Sequence, residues 1–388
     1  MYSSKGHGKE YVKNFCKGLK NNYDINLFFA TTGDYEMEGD GFTITKIAVN
    51  YEKTNAEYFI KYRFLAPYIR AMVKQFRSWQ YYRRIIKSEK ISGSDIVFIM
   101  DYDVFPLYLF IKKLKKIKTQ NYLWIHSAKF KSKDLLYSIY KSVFRYLFNH
   151  HIGPEIKKVI VNGDYIGKEI QSNLKLPNES FKVIQYPSEI SYVKVEKPLA
   201  RERLGFQMNE RIVLFFGLLR KDKNVELLIE SVAKSKHNIK LLIAGSEASV
   251  NESDVMRWLS VHNVDNYFLD IDYISEENMA LYYSCSDVLM LTYDIESGSQ
   301  SGPLSLAREF GLPALVSEVG EIGYYVKSND IGLTATPNSQ ESFSSSLNDF
   351  FNMSTDELVV LSKNIDLAQK KFSWRAAHSK YIETFDEE

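Results

Sequence analysis

The sequence has 388 residues, 45% hydrophobic and 25% charged, a globular composition that excludes a disordered tail and makes two domains of ordinary size the expectation. The formal net charge of +2 hides a split: residues 1–200 hold 33 Lys and Arg against 19 Asp and Glu, and residues 201–388 hold 17 against 29. Two distant cysteines, Cys16 and Cys285, exclude a disulfide scaffold and lack zinc-ligand spacing, and no apolar run of about 18 residues is present.

In chain order, Ser3–Gly8 reads as a small-residue loop and Lys9–Leu19 as a helix with apolar Tyr11, Val12, Phe15, Cys16 and Leu19. Strands are expected at Ile25–Ala30 and near Thr43–Val49, with no opening strand ahead of the glycine loop. Glu57–Lys90 reads as a long helix crowded with aromatic and basic residues. Asp95–Met100 is an expected strand, Leu107–Ile117 a basic helix, and Tyr122–Ile125 a strand ending at His126. A basic, aromatic helix follows at Lys133–Leu147, then strands at Val159–Val161 and Lys182–Gln185 around a helix at Asp164–Leu174. Strands alternating with helices predict a parallel, doubly wound sheet.

The pattern breaks near Tyr186–Lys197, which places a domain boundary there, and the alternation then restarts. Helices are expected at Leu199–Leu204, Glu226–Ser235, Val255–Val261, Ser275–Ser284 and Leu304–Phe310. Strands are expected at Ile212–Phe216, Lys240–Ala244, Tyr267–Leu269, Asp287–Leu291 and Ala314–Ser317. Helices near Ser339–Phe351 and Thr355–Glu383 complete the chain. The divisions are therefore 1–188, 189–365 and a C-terminal helical segment, 366–388.

Two stretches carry most of the chemistry. In FGLLRKDKN, Gly217 allows a close turn, and Arg220 and Lys223 fall just past the end of a strand. Ligands bind there in parallel sheets, and a guanidinium with an ammonium can neutralise a diphosphate; an ordinary loop with exposed cations has the same look. In SGSQSGP, Ser299, Gln300, Ser301 and Gly302 precede Pro303 at the start of a helix, where free N–H groups suit a phosphate. A serine-capped helix start is also commonplace. Asp101-Tyr102-Asp103 after a strand is the kind of acidic pair that holds a divalent metal against a diphosphate, but two carboxylates at this spacing are common, and no metal or other cofactor is expected.

The ordered series FFGLLRKDKNVELLIES, IAGSE, DYISEENMALYYSCSDVLMLTYD and SGSQSGPLSLAREFGLPALVSEVGEIGYYV resembles the nucleotide-sugar domain of retaining glycosyltransferases of family four, with the GT-B architecture. The likeness covers Ile212–Glu321 well and the first half loosely. It implies an α/β fold of two Rossmann-like, doubly wound domains facing a cleft, the first binding acceptor and the second the nucleotide sugar, with the last helix packing back on the first domain. It implies metal-independent transfer of a sugar from a nucleotide-sugar donor to a hydroxyl with retention, as in assembly of O-antigen, capsule or exopolysaccharide.

By the same resemblance Arg220, Lys223 and His126 are catalytic candidates, although a histidine ending a strand is more often structural. Gly217, Ser299, Gln300, Ser301, Gly302 and Glu247 are donor-binding candidates, and Gly6, Gly8 and Lys9 belong to the loop facing donor and acceptor. Two glutamates usual in the family fall at Gly298 and Leu306, so the chain is similar to a branch with Gln-Ser-Gly in that turn. The implied acceptor is a carbohydrate or lipid-linked saccharide. Residues 51–150, with 20 basic and 7 acidic side chains among interfacial aromatics, suit an anionic membrane surface. No nucleic-acid motif accompanies that charge. The expected setting is the cytoplasm, peripheral on the inner face of the cell membrane. An epimerase or hydrolase of nucleotide sugars, or a silent relative acting as a scaffold, remain alternatives.

Overall fold

The computed structural model describes residues 8–31, 43–48, 66–100, 102–125, 135–188, 194–296 and 300–387. Its elements, in order, begin with α1 (Gly8–Leu19), β1 (Asn26–Thr31), β2 (Thr43–Ala48), α2 (Ala66–Ile86), α3 (Glu89–Ser92), β3 (Ile96–Ile99), α4 (Val104–Leu114), β4 (Gln120–Ile125), α5 (Leu135–Leu147), β5 (Lys158–Val161), α6 (Asp164–Leu174) and β6 (Phe181–Val183). They continue with α7 (Lys197–Arg203), β7 (Arg211–Phe216), α8 (Val225–Ala233), β8 (Ile239–Ala244), α9 (Glu252–Val261), β9 (Tyr267–Asp270), α10 (Glu276–Cys285) and β10 (Val288–Leu291). The last are α11 (Gly302–Phe310), β11 (Ala314–Ser317), α12 (Gly320–Asn329), β12 (Gly332–Ala335), α13 (Gln340–Phe351), α14 (Thr355–Lys371) and α15 (Trp374–Asp386).

The chain divides into two compact units. The first is Met1–Asn162 with Gly167–Ile184 and Ala377–Glu388; the second is Gly163–Ile166 with Gln185–Ala376. The single terminal helix expected over Thr355–Glu383 is two helices. Ser373 stops the first and starts the second, its Oγ accepting from the Ala376 amide at 3.2 Å, the contact a serine cap makes. The long helix expected from Glu57 is described from Ala66 and breaks before α3.

In the first unit, β3, β4, β5 and β6 form a four-stranded parallel sheet, and β1 pairs parallel with β2. No strand precedes α1 among the described residues. The core is aromatic. Tyr11 of α1 stacks on Trp124 of β4 at 4.9 Å and 7°, and its hydroxyl meets that of Tyr381 at 2.8 Å. Phe15 meets Tyr381 edge-on at 4.9 Å, and Phe385 lies 4.8 Å from Tyr122. Ion pairs from Lys182 to Glu383 (2.9 Å) and Glu387 (3.1 Å) hold the end of the chain from outside. Residues from Ala377 onward are thus part of this unit's core.

The second unit is a six-stranded parallel sheet in the order β12-β11-β10-β7-β8-β9. Its central strands are apolar and fully buried, as parallel strands covered by helices on both faces must be. Arg201 of α7 sets the middle of the sheet. Its guanidinium grips Asp287 with both carboxylate oxygens (3.1 and 3.0 Å) and donates to the Cys285 carbonyl (2.9 Å). Asp287 in turn accepts from the Ile212 amide at 2.7 Å. The starts of β7 and β10 are pinned side by side.

Tyr381→Ala removes a fully buried ring that the first unit's core is built on, and is expected to destabilise that unit by about 3–5 kcal/mol. Urea unfolding should show one transition moved to lower denaturant. An unchanged midpoint would mean that the terminal helix is not integral to the unit.

Candidate functional site

The second unit's sheet reverses its strand order between β7 and β10: β7, β8 and β9 run outward on one side, β10, β11 and β12 on the other. In open α/β sheets the crevice at the carboxyl ends of such a pair is where ligands bind. Immediately after β7 the chain turns at Gly217, with φ of 106°, and its amide donates to the Ala244 carbonyl at 2.9 Å. The segment after β8 comes so close that a Cβ on Gly245 would lie 2.1 Å from the Gly217 carbonyl oxygen. Bare backbone at both positions is a condition of this crossing.

The turn delivers Lys223 into the crevice. Its side chain is 6% exposed, and its ammonium lies where a Cβ on Gly217 would be 2.9 Å away. The rings of Phe215 and Tyr293 have their centroids 5.6 and 5.8 Å from Nζ. Burial, reinforced by the nearby Arg220 charge and only partly offset by Asp222, pushes the Lys223 ammonium down to about 8. Among the described residues no carboxylate forms an ion pair with it. Arg220 is half-exposed and pairs with Asp222 at 2.7 Å.

The facing wall comes from the chain after β10. Thr292 Oγ1 donates toward the carbonyls of Lys223 (2.9 Å) and Asn224 (3.0 Å), and Tyr293 shares a hydrogen bond with Ser301 Oγ at 3.1 Å. Ser301 is the N-cap of α11, accepting from the Leu304 amide at 3.4 Å. Pro303, in the first turn, lies 3.3 Å from the same Gly217 Cβ position. Gly217, Lys223, Ser301, Gly302 and the start of α11 therefore meet in one place: a buried cation beside a helix N-terminus, whose dipole favours an anion.

The other candidates fare differently. Gln300 and Ser301 also line a small pocket between α11 and α12, with room for about one water (about 10 Å³). The Glu247 carboxylate accepts from the Glu252 amide at the start of α9, at 2.7 Å, which commits it to a cap. His126, Ser299 and Gly6 lie outside the described residues, as does Asp101; Gly8 is described as the first residue of α1, and Lys9 through its backbone alone. No cluster of three or more metal-ligating side chains occurs among the described residues.

Sequence reasoning missed Thr292, Tyr293 and two groups in the pocket. Arg308, fully buried, donates to Glu309 (2.9 Å), to the Tyr325 hydroxyl (2.9 Å) and to Ser188. Glu321, 2% exposed, accepts from the Ile166 amide at 3.0 Å. It fits because Gly163 has no side chain: a Cβ there would lie 2.2 Å from the carboxylate carbon. Burial pushes Glu321 up to about 7 against the opposing pull of backbone amides. Thr292 and Tyr293 could have been found as the residues ending a strand beside β7, had the strand order been known.

Two Rossmann-like parallel units with a switch-point crevice in the second define the GT-B fold. Residues 196–366 match the family described as glycosyl transferases group 1, which supports a glycosyltransferase superfamily. The chain is 28% identical over 195 residues to an uncharacterised glycosyltransferase of Methanocaldococcus jannaschii, covering 48% of each chain; it spans about half the length of the curated relatives it matches. The crystal structure of Anabaena HepE in complex with UDP and glucose matches 99% of this chain and 97% of its own, with a TM-score of 0.70 and 13% identity. The apo form of the lipopolysaccharide outer core galactosyltransferase WaaB matches 99% of this chain and 96% of its own, with a TM-score of 0.67 and 14% identity.

Two variants test the local geometry. Gly245→Ala must push the Gly217 turn aside and strain a backbone held at a φ of 147°, and is expected to lower the urea midpoint of the second unit; an unchanged midpoint would show that the two turns can part freely. Glu321, raised from 4.5 to about 7, binds its proton more tightly folded than unfolded. Its contribution is full below about pH 4.5 and is lost as pH rises through about 7, a change of about 3 kcal/mol. Glu321→Gln should flatten the stability profile over that window; an unaltered slope in urea unfolding would refute the assignment.

Proposed function

We propose that this chain is a glycosyltransferase that moves a sugar from a nucleotide-sugar donor to a hydroxyl acceptor. The observation that carries the reading is the buried Lys223 ammonium, unpaired by any described carboxylate, set against the N-terminus of α11 at the sheet's switch point. That arrangement suits a diphosphate, and the match of residues 196–366 to glycosyl transferases group 1 supports a sugar nucleotide as its bearer. Since HepE was solved with UDP and glucose, UDP-sugars are the first donors to try.

In the proposed step the acceptor oxygen bonds to the anomeric carbon as the bond from that carbon to the β-phosphate oxygen breaks. The acceptor proton passes to the departing phosphate. Lys223, Arg220 and the amides around Ser301 and Gly302 stabilise the charge that develops on the leaving group, so the step draws on side-chain cations rather than a metal. Retention at the anomeric carbon follows if the acceptor attacks from the leaving-group face, as the family resemblance implies. The proposed acceptor is a carbohydrate or a lipid-linked saccharide in surface-polysaccharide assembly, a setting that the likeness to a lipopolysaccharide galactosyltransferase supports.

The test is nucleotide release from a panel of UDP-, GDP- and ADP-sugars, with and without a lipid-linked acceptor extract. Acceptor-dependent release is expected, and Lys223→Ala should weaken UDP binding by about ten- to a hundredfold, the worth of a charge-assisted hydrogen bond. Release without acceptor would replace the transferase by a hydrolase or epimerase; no turnover and no binding would leave a silent relative.

The pH dependence follows from the same lysine. Below about pH 8 Lys223 carries its charge and an anion binds without proton uptake; above it the neutral amine must first be protonated. UDP affinity is therefore expected to be flat below about pH 8 and to fall above it by up to about tenfold per pH unit. The Lys223→Ala protein should lack that break in calorimetric titrations.

A further inference from the structure

In the first unit, α5 turns the wrong side outward for a helix that faces water. It buries Phe144, which stacks toward Tyr102 and meets Phe148 at 5.6 Å. On the other side Ile139, Val143 and Tyr146, spaced i, i+4 and i+7, are 49%, 48% and 59% exposed. A surface helix normally presents polar residues there. The patch does not end with the helix. Tyr146 meets His150 at 4.7 Å and His151 at 6.1 Å, His151 meets Tyr108 of α4 at 5.4 Å, and Tyr108 meets Phe105 at 6.4 Å. Phe105 is 55% exposed. A continuous ribbon of rings and branched side chains thus runs from α5 to the start of α4.

The charge on its two helices has one sign, and the nearby Glu155 is already paired with Lys115 at 2.6 Å. α5 carries Lys141 and Arg145 and no acid, and α4 carries Lys112 and Lys113, both exposed, with no acid inside the helix. Lys112 follows Phe105 by seven residues and so falls on the same side of α4. Contiguous exposed apolar surface is rare on a soluble chain and marks a contact site. Rings with histidines between them, rimmed by Lys and Arg, match the boundary between the acyl chains and the anionic headgroups of a bilayer. No described helix is long and apolar enough to cross a membrane, so attachment through this face is interfacial.

We propose that the exposed face of α5, continued through His150 and His151 to Phe105, docks this protein on the surface of an anionic lipid bilayer. The branched and aromatic side chains enter the headgroup boundary, and the flanking cations meet lipid phosphates. The claim stands apart from the transferase reading, because it needs no donor and no turnover.

Vesicle flotation with the full chain tests it, using phosphatidylcholine vesicles with and without phosphatidylglycerol. Binding is expected only where phosphatidylglycerol is present, and should weaken as salt is raised. Val143→Asp combined with Tyr146→Asp alters only exposed side chains and should reduce binding at least about tenfold; Arg145→Glu should reduce it about fivefold or more, the worth of a basic residue near such a surface. Val360→Asp, on an exposed part of α14 in the other unit, should bind as the unaltered chain does. The proposal falls if the chain does not float, if both lipid compositions bind alike, or if the α5 variants float normally. It also falls if light scattering shows a dimer that the α5 variants dissolve without any lipid binding, which would assign the face to a second copy of the chain.

Discussion

The buried charge of Lys223 is the constraint on which the second unit's crevice depends. An ammonium withdrawn from water loses solvation that an opposite charge restores, and here Asp222 offsets it only partly from its pair with Arg220. The surroundings are arranged around this cost. Gly217 leaves room for the ammonium, Asn224 takes a left-handed conformation with φ of 47° to turn the chain into α8, and Thr292 accepts the burden of the carbonyls of Lys223 and Asn224 by donating to both. The lowered proton affinity of the amine is the same fact seen from its titration. On the proposed reading, the donor's diphosphate supplies the opposite charge.

That position exists only because β7 and β10 are neighbours. Sequence order does not require it; the chain builds β8 and β9 on one flank before returning to place β10 on the other. The Arg201 and Asp287 network reads as the device that secures the return. Asp287 sits just before β10, holds the amide of Ile212 in β7, and is held by the buried Arg201 guanidinium and by Lys197 at 2.5 Å. Removing Asp287 would strand the buried Arg201 guanidinium without its carboxylate, so the network enforces the pairing of two strands far apart in sequence. The pairing then brings Lys223 to Thr292, Tyr293 and Ser301.

Much of this was legible beforehand, and the gaps have physical causes. Apolar runs such as IVLFF and KLLIA name their strands because both faces are buried, and the Ser-Gly-Pro start of α11 names its helix by cap and proline. The segment from Gly320 to Ala335, for which the sequence pattern yields no element, forms α12 and β12. At Gly323 and Gly332 glycine answers to close packing. A Cβ at Gly323 would lie 2.8 Å from the Glu318 Cα, and one at Gly332 would lie 1.8 Å from the Ala314 carbonyl oxygen. Such contacts are set by neighbouring strands and have no periodicity to read. Tyr293 was missed for a related reason, since nothing local in TYD says that its strand lies next to β7. Nothing near Glu321 in the sequence marks it as buried, and the absent side chain of Gly163 makes the place for it.

The two cations of the turn are not equivalent, and the difference bears on how such a site would work. Lys223 is fixed and dry, so its field on an anion costs no rearrangement at the moment charge develops. Arg220 is half in water and already satisfied by Asp222 at 2.7 Å, so engaging a phosphate requires it to exchange one anion for another. Exchange of partners in water is nearly neutral in energy, which makes the arginine a poor source of affinity and a ready responder to charge that appears only as a bond breaks. On the proposed reading, the lysine holds the diphosphate and the arginine follows the leaving group; a turn with both arginine and lysine buried would hold its ligand too evenly to distinguish the ground state from the transition state.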